Sequence, residues 1–289
     1  MEAKTRAALD DFSQDLTEDQ RRYLDTCFAA VDIPDPALVP AAAAELLQHH
    51  REGRSAEAVA AVMPQVLSRA WARVRAREGR PTMERAGLPD VEAVRTTERK
   101  IGYLGYFALE DNTYEQPRFD GGRMGDVPRM VFMMADAVTV LPYDPVRDRV
   151  LVVEQLRYGP LLRGDRRPWV LEPIAGRVDA GEGPEATARR EAEEEAGVTL
   201  GALHLIGEHY VSPGAVTECL ISYVGEADLP DDITGISGLD VEQEDIRSHL
   251  LSFDRLMELC DAGALDTGPL FLAALWLSRH RDRLREARL

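Results

Sequence analysis

Positive charge is what this 289-residue chain has little of. Its 34 Lys and Arg stand against 51 Asp and Glu, a formal net charge of −17. A phosphate-backbone partner needs a broad basic surface, so the deficit argues against nucleic acid while leaving room for a local cationic pocket that takes a small anion. Cysteine is scarce too. Cys27, Cys219 and Cys260 are odd in number, far apart and without a CxxC pair, which suits a reducing compartment where each is a small buried hydrophobe. No apolar run approaches the roughly 18 residues of a membrane span, and MEAKTRAALDDFSQDLTEDQ holds no signal-like apolar stretch, so the expectation is a cytoplasmic protein with no membrane partner. Repeats and low-complexity segments are also missing. What is present is an ordinary globular composition, 45% hydrophobic and 29% charged, long enough for one large domain or two ordinary ones.

The early residues read as helical. Thr17 with Gln20 makes a capping box ahead of RRYLDTCFAAV, and Asp35-Pro36 starts a second helix through LVPAAAAELLQHH, with Pro40 in its first turn. Ser55 caps a third, AEAVAAVMPQVLSRAWARVRA, which Pro64 should kink or split. The Gly- and Pro-bearing REGRPTMERAGLPD then reads as a linker, and we place a boundary near residue 90, with a helical domain over 1–90 and a second domain over 91–289. Beyond it the period changes to two. AVTVLPYDPVRDRVLVVEQLRY reads as a hairpin, HLIGEHYV and ECLISYVGEA as strands around the turn SPGAVT, and FDRLMELCDAG and PLFLAALWLSRHRDRLREARL as closing helices. The fold class is α/β (α+β), a mixed β-sheet sandwiched between helices and preceded by an all-α segment.

The stretch GRVDAGEGPEATARREAEEEAGV concentrates negative charge. With Pro184 at the first helical position and Gly197 just past the last, Glu191, Glu194 and Glu195 share an arc of about 100° and Glu193 falls on the opposite side. Three carboxylates on one face repel unless something neutralises them. A solvated acidic face is the bland explanation, while a divalent cation with open positions for a phosphate is the specific one. Spacing decides. Gly176, Glu182, Arg190, Glu191, Ala192, Glu194, Glu195, Gly197 and Val198 stand where the Nudix box has its glycine, acid, Arg-Glu, aliphatic residue, Glu-Glu, glycine and aliphatic residue. Seven fixed letters match by chance at on the order of 10⁻⁶ per chain of this length. Ala192 is smaller than the usual aliphatic.

The chain therefore resembles the Nudix hydrolases, and residues 100 to 289 resemble their ADP-ribose diphosphatase branch through YLGYFAL, RFDGG, LPYDPVRDRVLVVEQLR, PWVLEPIAGRVDAGE, SPGAVTE and GLDVEQEDIR. That resemblance implies a Nudix fold and Mg²⁺-dependent hydrolysis of ADP-ribose to AMP and ribose 5-phosphate, with Mn²⁺ able to substitute. It makes Glu191, Glu194, Glu195, Glu244 and the carbonyl of Ala175 metal ligands, with Glu191 and Glu195 principal, and Glu242 the general base. Glu182 and Arg190 would hold the loop to the helix. Arg157 and Arg177 would meet substrate, as would Arg129 from a neighbouring subunit. Tyr106 and Phe107 would meet the adenine, and Ser212, Pro213, Gly214 and Glu218 the ribose side. A homodimer with exchanged N-terminal strands follows from the same likeness.

Two departures leave room for other readings. Met130 and Met134 stand where relatives commonly carry an acid and a second arginine, which keeps open a nucleotide sugar or dinucleotide as substrate. The added helical segment carries no catalytic signature; His49 and His50 are adjacent, about 100° apart on a helix, and so are poor joint metal ligands. Its expected role is packing, oligomer formation or partner binding. A non-catalytic ADP-ribose sensor is the alternative from another class, opposed by the intact box glutamates.

Overall fold

The computed structural model describes residues 3–79, 91–238 and 244–286. The chain divides into two compact units. One takes in the described residues up to Asp136 with Asp179–Gly181 and Tyr210–Cys219; the other comprises Ala137–Val178, Glu182–His209 and the described residues from Leu220 onward.

In the first unit five helices, α1 (Ala3–Phe12), α2 (Glu18–Ala29), α3 (Leu38–Arg51), α4 (Ala56–Ala60) and α5 (Met63–Glu78), precede an antiparallel meander of β1 (Arg95–Leu104), β2 (Ala108–Pro117) and β3 (Arg123–Met133). The capping box forms as expected: Gln20 N–H donates to the Thr17 hydroxyl, and Thr17 N–H donates to the Gln20 side chain at 3.0 Å. Ser55 caps α4, whose end at Ala60 and restart at Met63 show that Pro64 splits the third predicted helix rather than kinking it. Leu24, Phe28, Leu38, Leu46, Met63 and Val66 are the helices' shared apolar core. A buried ion cluster runs through it. Glu45 accepts from Arg69 at 2.6 Å with Arg73 at 2.7 Å, both Glu45 and Arg69 being almost wholly buried. Burial would push the Glu45 carboxyl up, but the neighbouring His49 ring and the charges of Arg73 and Arg69 hold it well below the usual carboxylate range. The helices also meet the meander, where Gln48 donates to the Arg99 carbonyl at 2.8 Å and Ile101 N–H donates to Glu52 at 2.7 Å.

The second unit is built on one mixed sheet. Its strands are β4 (Ala137–Asp144), β5 (Arg149–Leu156), β6 (Trp169–Glu172), β7 (Ile174–Arg177), β8 (Leu203–Tyr210), β9 (Cys219–Glu226), β10 (Ile236–Ser237) and β11 (Ile246–Ser252), ordered β10-β11-β5-β4-β9-β8. The predicted hairpin forms but pairs only Tyr143 with Val150 and Asp144 with Arg149. Its strands then part like a fork. β6 pairs with β5 on one prong and β7 with β4 on the other, while β4 runs parallel to β9. The opening exposes backbone that a short segment must cover, which places Ala175 and Gly176 on β7 in the fork.

Side chains alternate across these strands. Leu141, Tyr143, Val150 and Val152 meet α8 (Phe253–Asp261) and α9 (Gly268–Glu286) in one core. Helix α7 (Pro184–Ala196) covers β7 and β4 on the other face. A short α6 (Tyr158–Arg163) follows β5. Helices on both faces of a mixed sheet, with an all-helical segment in front, are the architecture expected from the sequence.

Candidate active site

Helix α7 supplies the carboxylates. Pro184 starts it, where a missing amide hydrogen costs nothing, and Gly197 ends it in the left-handed region at φ 63°. The amides of Gly197 and Val198 turn back to the carbonyls of Glu193 and Ala192, each at 2.9 Å. Between these ends Ala188, Ala192 and Ala196 are buried, Glu195 with them at 2% exposure, Glu191 and Glu194 are half-buried, and Glu193 is in solvent. The small Ala192 seats itself without a cavity-filling branch.

Two contacts lock the helix to the loop before it. A β-carbon built on Gly176 would overlap the Glu191 side chain, so only glycine lets that carboxylate cross the strand. Arg190 is the second lock. Its Nη1 lies 2.7 Å from Glu194 and 2.8 Å from Glu191, and its Nη2 is 3.2 Å from Glu182. Burial disfavours its charge, but the hydrogen bond to Glu182 and the charge of Glu191 outweigh that and raise its pKa. Glu182 also accepts from the Thr187 hydroxyl at 2.8 Å, fixing the loop on the first turn of α7.

Glu195 accepts from the Ala175 amide at 3.3 Å. Burial, then the charge of Glu191, push its carboxyl up to about 9; Glu244 adds to the rise, while the Ala175 amide and Arg157 oppose it. Arg157, at the end of β5, donates to Glu172 at 2.7 Å. Burial raises the Glu172 carboxyl and Arg157 counters it. The second unit thus gathers Arg157, Ala175, Glu191, Glu194 and Glu195, with Glu244 within electrostatic reach and Arg177 next to Gly176 on β7. Glu242 lies outside the described residues. Glu172 is a site residue that sequence reasoning does not pick out; its one signal is the acid in WVLEPIAG, where an ionisable residue sits in an otherwise apolar strand.

The first unit holds the remaining candidates. Tyr106 and Phe107, 60% and 40% exposed, sit at the β1–β2 turn with ring centroids 4.8 Å apart, edge to face, rather than in the core. Arg129 on β3 is exposed and donates to the Pro128 carbonyl at 2.7 Å. Ser212, Pro213 and Gly214 form an exposed turn tied to β3, since Phe132 N–H donates to Ala215, Thr217 N–H to Phe132, and Met134 N–H to the Thr217 hydroxyl. Burial, then the charge of Asp136, raise the Glu218 carboxyl.

The donor set on α7 and β7 is all oxygen and carries surplus negative charge, which fits a hard divalent cation. Buried Glu195 faces two like charges, which such an ion would relieve. Among the described residues no three ligating side chains already converge into a shell, and Glu191 and Glu194 both pair with Arg190.

A glycine-anchored loop and acidic helix on this sheet define a Nudix hydrolase: the NUDIX domain model matches residues 133–268, and the chain belongs to that family. Among its relatives is the ADP-ribose pyrophosphatase of Escherichia coli K12, 35% identical over 199 residues, which cover 69% of this chain and 93% of that protein. The Haemophilus influenzae ADP-ribose pyrophosphatase is 35% identical over 187 residues, 64% of this chain and 86% of that one. A GDP-mannose pyrophosphatase of Salmonella arizonae is 33% identical over 178 residues, 62% and 91% respectively. The crystal structure of an ADP compounds hydrolase shares the fold, with a TM-score of 0.51 at 17% identity over 68% of this chain and 100% of that one. Among the described residues no helix is long and apolar enough to cross a membrane.

Proposed function

We propose that the protein hydrolyses the diphosphate of ADP-ribose in the presence of Mg²⁺, adding water across the P–O–P link to give AMP and ribose 5-phosphate. The observation that carries the reading is the inward carboxylate set of α7, with Glu195 buried beside Glu191 and, of the four glutamates from 191 to 195, Glu193 alone turned outward. The E. coli relative, named an ADP-ribose pyrophosphatase and matched over 93% of its length, supports the substrate.

In this reading Glu191, Glu194, Glu195, Glu244 and the Ala175 carbonyl hold the ion. When bound, a divalent cation neutralises charge developing on the diphosphate and makes a water more acidic. The chain's own residues do the rest. Arg157, already aligned by Glu172, meets a phosphate through its planar fork, and Arg177 contributes a second cation from β7. Glu242 is assigned as the base that takes the proton from water. Tyr106 and Phe107 offer exposed aromatic faces for the adenine; Arg129, Ser212, Pro213, Gly214 and Glu218 are assigned to the remaining contacts.

We further assign the active form to a homodimer with exchanged N-terminal strands, located in the cytoplasm, where the uncrosslinked Cys27, Cys219 and Cys260 are at home. Residues 1–90 are assigned to packing, oligomer formation or partner binding, as a helical segment ahead of 91–289. A second reading, the same chemistry on a nucleotide sugar, is favoured by Met130 and Met134 and by the GDP-mannose pyrophosphatase relatives. A panel of ADP-ribose, GDP-mannose and a dinucleotide with Mg²⁺ decides. The highest kcat/KM on ADP-ribose supports the first reading, and a preference for either of the others overturns it.

A further inference from the structure

The second unit carries a cleft of about 450 Å³ lined by Glu154, Arg166, Arg167, Trp169, Asp245 and Arg247, among others. Its volume is in the range of small-ligand sites. Three arginines against two acids make it locally cationic on a chain of net charge −17. Among the described residues the guanidinium groups of Arg166, Arg167 and Arg247 make no ion pair or side-chain hydrogen bond, whereas Arg147, Arg149, Arg157, Arg190 and Arg281 of the same unit are all paired. Glu154 is itself matched by His249 at 2.9 Å. Beside these cations Trp169 leaves 56% of its surface in solvent, a large exposed aromatic.

Strand register places the cleft. Trp169 pairs with Leu156 and Arg247 with Glu154, so these side chains share the face of Val150 and Val152. Glu172 pairs with Val153 and belongs with Arg157 to the opposite face. The cleft therefore lies on the reverse side of the sheet from the α7 carboxylates, and a ligand in it is a different molecule from the diphosphate being cut.

We propose that this cleft is a second binding site, for a nucleoside monophosphate. The base stacks on Trp169, and the phosphate is held by Arg166, Arg167 and Arg247, whose forked donors match phosphate oxygens. Asp245, which lines the cleft, directly follows Glu244 in the chain. Such binding does not depend on which diphosphate the enzyme cleaves.

Calorimetric titration of the full chain with AMP, adenosine and inorganic phosphate, in EDTA, tests it. AMP should bind at least tenfold more tightly than either fragment, and Trp169→Leu and the pair Arg166→Ala/Arg167→Ala should each weaken AMP at least tenfold. Arg157→Ala should leave that binding unchanged, and the surface variants should keep the parent's melting temperature. Loss of AMP binding in Arg157→Ala with retention in Trp169→Leu puts the ligand at the α7 site and overturns the proposal. Equal affinity for phosphate and AMP overturns it too, as does no AMP binding. A parent enzyme inactive on ADP-ribose would defeat the functional reading without altering this result.

Discussion

Glu191 lies across the backbone of Gly176 so closely that no β-carbon fits between them. Gly176 on β7 and Glu191 on α7 are thus one steric unit. Gly176→Ala must push the Glu191 carboxylate aside, and turnover should fall about 100-fold or more, with cooperative melting retained. Steady-state kinetics beside a thermal melt measures this; a variant as active as its parent would show that the Glu191 position is immaterial.

The orientation of α7 separates its glutamates. Glu193 is solvated and its carboxylate accepts from the Thr199 hydroxyl at 3.4 Å, whereas Glu195 is 2% exposed. Glu193→Gln should change kcat by less than about twofold, while Glu195→Gln should lower it by about two orders of magnitude or more. Comparable losses at both positions would mean the carboxylate face is wrongly identified.

Removal of divalent cation has two readouts. EDTA should abolish turnover, and added Mg²⁺ should raise the melting temperature of the parent by relieving repulsion at Glu195, but should not do so in Glu191→Gln. A parent whose melting temperature ignores Mg²⁺ at millimolar concentration would count against ligation on α7.

The buried Glu45–Arg69 pair makes a stability prediction far from that chemistry. Arg69→Met takes one of two arginines from a buried carboxylate that keeps Arg73, and should destabilise the first unit by about 1–2 kcal/mol in urea. The pH dependence has a definite sign. Because the folded Glu45 carboxyl is held below its ordinary value of 4.5, the unfolded chain binds more protons in acid, so the contribution is complete above that value and is lost as pH falls through the folded pKa. Glu45→Gln should have a shallower acid limb; an unchanged slope would contradict the assignment.

The residues made some of this legible and hid the rest for physical reasons. Caps at Thr17 and Ser55, the Pro64 break and the ends of α7 depend on local backbone chemistry, and each stands where the residues indicate. The outward turn of Glu193 follows from helical period alone. The β1–β3 meander is poorly legible, because charged strands such as RTTERKIGYL alternate weakly and acquire their pairing from partners distant in sequence. The fork between β4 and β5 is hidden for a similar reason: a hairpin reads as continuous pairing, and only β6 and β7 pry it open. Glu172 escapes notice because its importance comes from burial beside Arg157, a contact that strand pairing creates.

The most direct test is ADP-ribose cleavage by the purified full chain with Mg²⁺, comparing the parent with Glu191→Gln and identifying both products. AMP and ribose 5-phosphate are expected in equal amounts from the parent, with at least a 100-fold lower kcat in a variant that melts normally. Intact ADP-ribose after incubation with the parent, or a Glu191→Gln enzyme that keeps most of its activity, would contradict it.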